Sequence, residues 1–262
     1  MEMKVGLGVV LFLLFAPVSA IVAQSTTSAS TASTSDLKFS VTAGKATYLR
    51  YEPIVMRFKL RNPTNKDFVS RTTAPQFFQD SKLEITNSEG ETSEVNTLSL
   101  AISHPEYSPL AKFEIKAGDK YEMTGFAAID PALLAAPGKY TLRLTYKWRF
   151  PPDETLSAPP FEITILEPTG RDKAAFEFLS KNGKDVFFHG VDTPKNRDEV
   201  LQTFVRQYSD TGYGEYGIFA LSSYYAYSIN DKSRAKAELE KLLSSQNPYL
   251  AKRAAERLKE LK

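Results

Sequence analysis

Nucleophiles, acid–base pairs, metal ligands and phosphate-binding loops each leave a local pattern in a chain. His104 lies in Ser103-His104-Pro105-Glu106, a proline-bounded stretch, and His189 lies in Phe187-Phe188-His189-Gly190. Neither stands in a His-Glu-x-x-His or other paired spacing, which argues against a zinc site. An exposed loop position accounts for His104, and a partly buried ring bonded to backbone accounts for His189. The chain has no cysteine, so thiolate nucleophiles, thiolate metal sites and a disulfide scaffold are all excluded. There is no Gly-x-Ser-x-Gly elbow. Thr211-Gly212-Tyr213-Gly214-Glu215-Tyr216-Gly217 is rich in glycine but has no preceding strand and no lysine. It reads as a turn that lets a helix approach its neighbour, not as a phosphate loop. Carboxylates are plentiful, yet they show no local pairing of the kind a glycosidase needs. The expectation is a protein that is not an enzyme, with no cofactor and no metal.

Aromatic residues offer the other route to function. Tyr208, Tyr213, Tyr216, Tyr224, Tyr225 and Tyr227 crowd into one region. Tyr213, Tyr216, Ala220, Tyr224 and Tyr227 follow helical spacing and are expected to pack. Tyr225 falls off that stripe, so it is the candidate surface contact, since an exposed tyrosine offers rigid area with a polar tip. His104 and His189 are the other two candidate partner contacts. Overall charge is nearly balanced, 33 Lys and Arg against 31 Asp and Glu, which removes the electrostatic case for nucleic acid. From Asp231 onward nine basic residues interleave with five acidic ones, the pattern of a solvated helix face.

The elements that would carry these residues are preceded by an export signal. Glu2 and Lys4 lead into an apolar run from Val5 to Ala16, closed by Pro17 and small residues, with cleavage expected after Ala20 or Ala23. That places residues 1–23 in a signal peptide and the protein outside the cytoplasm, periplasmic or secreted. An uncleaved N-terminal membrane anchor is the alternative, because Val5 to Ala23 carries no charge. Residues 24–36, almost wholly Ser, Thr and Ala, read as a linker. After signal cleavage no integral membrane segment is expected.

From Leu37 to Glu167 the hydrophobic period is two. Ile54, Met56, Phe58 and Leu60 alternate with Val55, Arg57, Lys59 and Arg61, giving one buried and one wet face. Tyr140, Leu142, Leu144, Tyr146 and Trp148 form the inward set of a second strand, and Phe161, Ile163 and Ile165 that of a third. Weaker patterns mark 37–42, 82–86, 97–102, 112–115 and 121–127. About eight short strands with no intervening helix imply an antiparallel β-sandwich over 37–167.

Tyr51-Glu52-Pro53-Ile54, running into Leu60-Arg61-Asn62-Pro63-Thr64, resembles the second strand of bacterial immunoglobulin-like modules. Ala136-Pro137-Gly138-Lys139-Tyr140-Thr141-Leu142 is similar to the entry of their penultimate strand. The resemblance implies a tyrosine hydroxyl tied back to the preceding corner, and Leu142 where antibody domains carry cysteine. The nearest pattern is the sandwich of bacterial proteinase inhibitors, which would make 103–110 a candidate inhibitory loop.

Beyond Pro168 the period becomes 3.6, and about five helices are expected over 168–262. They are 172–181, a helix opened by Thr193-Pro194, the apolar stretch 213–229, one capped by Asn230 or Asp231, and one opened by Asn247-Pro248. Phe176 points away from the Ala175–Leu179 side and is expected to dock on the sandwich. The last three helices resemble a tetratricopeptide-type pair with a capping helix. The fold expectation is thus a multi-domain chain, β then α. The functional expectation is an exported protein-interaction or scaffold protein binding through its helical lobe. A proteinase inhibitor and a carbohydrate-binding module are the alternatives. The identity of the protein partner is not written in the residues.

Overall fold

The computed structural model describes residues 31–70, 75, 77, 81–95, 113–127, 129–148, 154–183, 187 and 196–261. Thr31–Lys262 form one compact unit. The strands come first: β1 (Lys38–Ala43), β2 (Thr47–Leu49), β3 (Ile54–Arg61), β4 (Phe68–Ser70), β5 (Ser81–Thr86) and β6 (Thr92–Val95). They continue with β7 (Phe113–Ile115), β8 (Lys120–Ala127), β9 (Gly138–Lys147), β10 (Thr155–Ser157) and β11 (Phe161–Leu166). The helices follow: α1 (Gly170–Asn182), α2 (Arg197–Tyr208), α3 (Gly214–Ser223), α4 (Lys232–Lys241) and α5 (Pro248–Glu260).

The antiparallel immunoglobulin-like sandwich expected for this part of the chain is not what forms, because one of its sheets is mixed. The described strands make a three-stranded sheet β1-β3-β8, a sheet in the order β2-β11-β9-β5-β6 with β10 beside β9, and a separate β4-β7 pair. The second sheet is mixed, because β2 runs parallel to β11 with Thr47 opposite Thr164 and Leu49 opposite Leu166. Alternation tells which face of a strand is buried, but it is silent on the direction of the neighbour. A three-residue strand such as β2 has no period to read. The 97–102 strand pattern and the Thr193-Pro194 helix start lie outside the described residues. The described part of the second helix begins at Arg197.

Inward residues of both large sheets share one core. Met56, Phe58 and Leu60 of β3 meet Leu83 of β5, Leu142 and Leu144 of β9 and Ile163 of β11, all nearly inaccessible to water. Aromatic rings bind this core laterally: Phe77 stacks on Phe58 at 5.1 Å and meets Tyr146 edge-on at 4.9 Å. Trp148 packs edge-on against Phe68 at 5.6 Å and Tyr146 at 5.7 Å. The Tyr140 hydroxyl donates to the Ala136 carbonyl at 2.8 Å.

A second core lies on the other face of the three-stranded sheet. Val55, assigned to the wet face by its alternation, is buried, as is Phe126 directly across from it on β8. The helices cover them. Phe126 meets Tyr249 edge-on at 4.8 Å, Tyr216 at 5.7 Å and Phe219 at 5.9 Å. Leu201, Phe204, Tyr213, Ala235, Leu239 and Leu250 complete this core. Close approach of α2 and α3 needs glycine. A Cβ on Gly217 would stand 2.7 Å from Phe204, and one on Gly214 would collide with the Ser209 backbone at 2.2 Å. Phe176 of α1 reaches the sheet side, its ring tilted against Tyr51 at 4.9 Å with the Arg50 guanidinium 4.7 Å over it. Among the described residues no helix is long and apolar enough to cross a membrane.

Candidate functional site

The site at the joint of the helices and the three-stranded sheet starts from a tight turn. Between β2 and β3 the chain reverses over Leu49–Glu52, closed by the Glu52 N–H on the Leu49 carbonyl at 3.0 Å. Tyr51 takes the left-handed conformation, φ 65°, which costs a non-glycine residue energy. The turn swings Glu52 inward, where its side chain is only 2% exposed.

A carboxylate taken out of water must be fully bonded. Glu52 Oε2 accepts the Leu49 N–H at 2.9 Å. Its Oε1 accepts the Tyr216 hydroxyl at 2.8 Å and faces Lys45 Nζ at 2.5 Å. Asn247 Nδ2 in turn donates to the Tyr216 oxygen at 3.1 Å. The same Asn247 caps α5, its Oδ1 accepting from the Tyr249 and Leu250 N–H groups at 3.1 and 3.4 Å. One bonded chain therefore runs Lys45–Glu52–Tyr216–Asn247, from strand loop to helix N-terminus. Beside it the Tyr213 hydroxyl donates to the Arg50 carbonyl at 2.6 Å.

The phenols here are donors, not bases. Burial, with the Glu52 charge added, holds the Tyr216 hydroxyl well above its ordinary range. Burial raises Tyr48 to about 12 and Tyr249 to about 12, and it raises Tyr213 as well.

These groups border a cleft of about 310 Å³. The sheet side supplies Gly44, Lys45, Tyr48, Glu52, Val55 and Arg57; the helical side supplies Gly212, Glu215, Tyr216, Gln246, Asn247, Pro248 and Tyr249. The lining tyrosines Tyr48, Tyr216 and Tyr249 are buried, and the charged lining residues carry both signs. Lys45 is already matched by Glu52, with its ammonium 5.0 Å over the Tyr48 ring. Among the described residues Glu215 accepts the Ser245 hydroxyl, at 2.7 Å, and forms no ion pair. Among the described residues no group of three His, Asp or Glu side chains is placed to hold a metal. The arrangement can bind and orient a ligand.

Of the residues singled out as partner contacts, His104 and His189 lie outside the described residues, as does the 103–110 loop. Tyr225, expected at the surface, is buried at 8% exposure, with the Arg234 guanidinium 5.7 Å over its ring. The exposed tyrosine is Tyr227, at 58%. The cause is a widened π-turn over Tyr224–Ser228, which shifts the 3.6-residue count and turns Tyr225 inward. Tyr225 does not line the cleft. The cleft's own residues were missed, although Tyr51-Glu52-Pro53 and the Asn247 cap were both visible. The one available signal was a carboxylate placed directly before a buried apolar strand.

No family model matches the chain, and no curated protein matches it. Solved structures give faint likenesses. A structural-genomics target is 16% identical, covering 53% of this chain and 98% of that one, with a TM-score of 0.31. A protein described as ApaA from Bordetella pertussis is 17% identical over 50% of this chain and 94% of that one, TM-score 0.27. The sporulation control protein Spo0M of Bacillus subtilis is 11% identical over 56% and 55%, TM-score 0.28. Likenesses this faint carry no argument about activity.

Proposed function

We propose that this chain is an exported, non-catalytic recognition protein that engages a protein partner through its helical layer, at the cleft where α3 and α5 meet β3. The observation that carries this reading is the Lys45–Glu52–Tyr216–Asn247 chain. The buried carboxylate that would be the natural acid or base has its bonding capacity taken up by structure. What it does instead is fix the position of the cleft walls, the rigid support a recognition site requires.

The test uses the full chain. Gln246 is exposed on the cleft rim, so Gln246→Trp should fill the cleft without disturbing the cores. Immobilised wild-type protein should retain a partner from the extracytoplasmic fraction of the producing cell, and Gln246→Trp should lose it. A Glu94→Lys variant on the distant edge strand β6 should retain it. Equal retention by Gln246→Trp would place recognition elsewhere. Recovery of the protein only from the cytoplasm would remove the export claim.

A further inference from the structure

Two charged side chains that line the cleft have no ion-pair partner among the described residues. Arg57 projects from β3 into the sheet-side wall and is exposed; Glu215 stands on the first turn of α3, in the facing wall, half-buried. Among the described residues neither has an ion-pair partner, and they do not pair with each other. Lys45, by contrast, is neutralised by Glu52. The space therefore presents one spare cation and one spare anion on opposite walls.

That pattern discriminates among ligand classes. A neutral sugar leaves both charges unmatched. A simple anion suits Arg57 and is repelled by Glu215, and a simple cation does the reverse. A molecule with a carboxylate and an ammonium several bonds apart satisfies both walls together. The guanidinium fork suits a carboxylate in particular. Tyr48, Tyr216 and Tyr249 also line the space but are buried, so the ligand's contact with them is confined to the edges they leave open. Gln246 on the rim has an amide able to pair with a peptide bond. The volume of about 310 Å³ is at the small end of ligand sites.

We infer that the cleft binds a free short peptide, its carboxylate on Arg57 and its amino terminus on Glu215. This rests on the reading of the cleft as a recognition site and goes beyond it: the free peptide is a second ligand, which competes with the protein partner for the same space. The test is calorimetric titration of the full chain with trialanine and with a mixed pool of free tripeptides. N-acetylated trialanine, trialanine amide and maltose serve as comparison ligands.

Free tripeptide should bind, and each blocked form should bind about tenfold or more weakly, because each block removes one charge-assisted contact. Maltose should not bind. In Arg57→Gln, amide and free acid should bind alike; in Glu215→Gln, acetylated and free amine should bind alike. Arg57 is exposed and Glu215 half-buried, and unchanged melting curves confirm that the fold survives each substitution. Absence of binding by both trialanine and the pool overturns the inference, as does equal binding of blocked and free peptides. If peptides fail while Gln246→Trp still abolishes partner capture, the ligand class is wrong and the recognition site stands. If Gln246→Trp has no effect either, the recognition reading itself fails.

Discussion

Between the two large sheets, Phe39, Phe58, Phe77, Tyr146 and Trp148 pack on one another with no buried charge among them. Where the helices cover β3 and β8, the rings of Phe126, Tyr216 and Tyr249 pack just as closely but surround a buried carboxylate and its partners. The first region gains its stability from area and shape, which are non-directional. The second adds directional bonds that fix where two layers meet. Such bonds contribute little net stability, because the ion must first be desolvated. Their effect is positional, and position is what a binding cleft needs.

Substitutions can pull this contrast apart. Trp148→Ala should have the largest effect, about 3–5 kcal/mol, since it empties a ring-lined site in the first core. It should leave the affinity of the surviving folded protein unchanged. A melting temperature equal to wild type would show that the ring contributes no packing.

High pH should come next. Tyr48 and Tyr249 ionise near 10.0 when unfolded but are raised by burial to about 12 in the folded chain. A folded-state value above the unfolded one gives stability that is complete below pH 10 and is lost as pH rises through 12. Denaturation midpoints should therefore fall between pH 10 and 12, and tyrosinate absorbance should rise together with unfolding. Full tyrosine ionisation in a still-folded protein would contradict the burial of these phenols.

Glu52→Ala should cost about 2–3 kcal/mol, because it strands the Tyr216 hydroxyl and the Leu49 N–H while Lys45 can turn to solvent. Tyr216→Phe, which removes one hydroxyl, should cost about 1 kcal/mol. Unlike Trp148→Ala, both should weaken binding in the folded fraction. Unchanged binding in both would separate the bonded chain from recognition. The smallest effect belongs to Arg171→Ala. Its pair with Asp210 at 2.6 Å lies in solvent, so the melting temperature should not move measurably. A clear drop would mean that exposed ion pairs matter here as much as the buried one.

The same contrast decides what could be read in the residues. The strands of the first core repeat every two residues over long runs, so β3, β9 and β11 and the inward side of Trp148 are local facts. The parallel partnership of β2 and β11 is not, since the two strands are far apart in the chain and β2 is too short to show a period. Alternation puts Val55 on the face away from the first core, but not in water, because the helices that bury it come more than a hundred residues later. Glu52 is the extreme case: its Tyr216 partner is 164 positions away. A polar network assembled at such distances leaves no spacing motif. Tyr225 failed for a smaller reason, one extra residue in a turn.

Hydrogen–deuterium exchange of the full chain, with and without saturating captured partner or tripeptide, tests recognition at the joint most directly. Binding there should slow exchange at Gly44–Leu49 and at Gln246–Leu250, the two cleft walls, while β5 and β6 on the far sheet stay unchanged. Slowing confined to β5, β6 or the exposed Tyr227–Ile229 segment, with both walls unaffected, would contradict it.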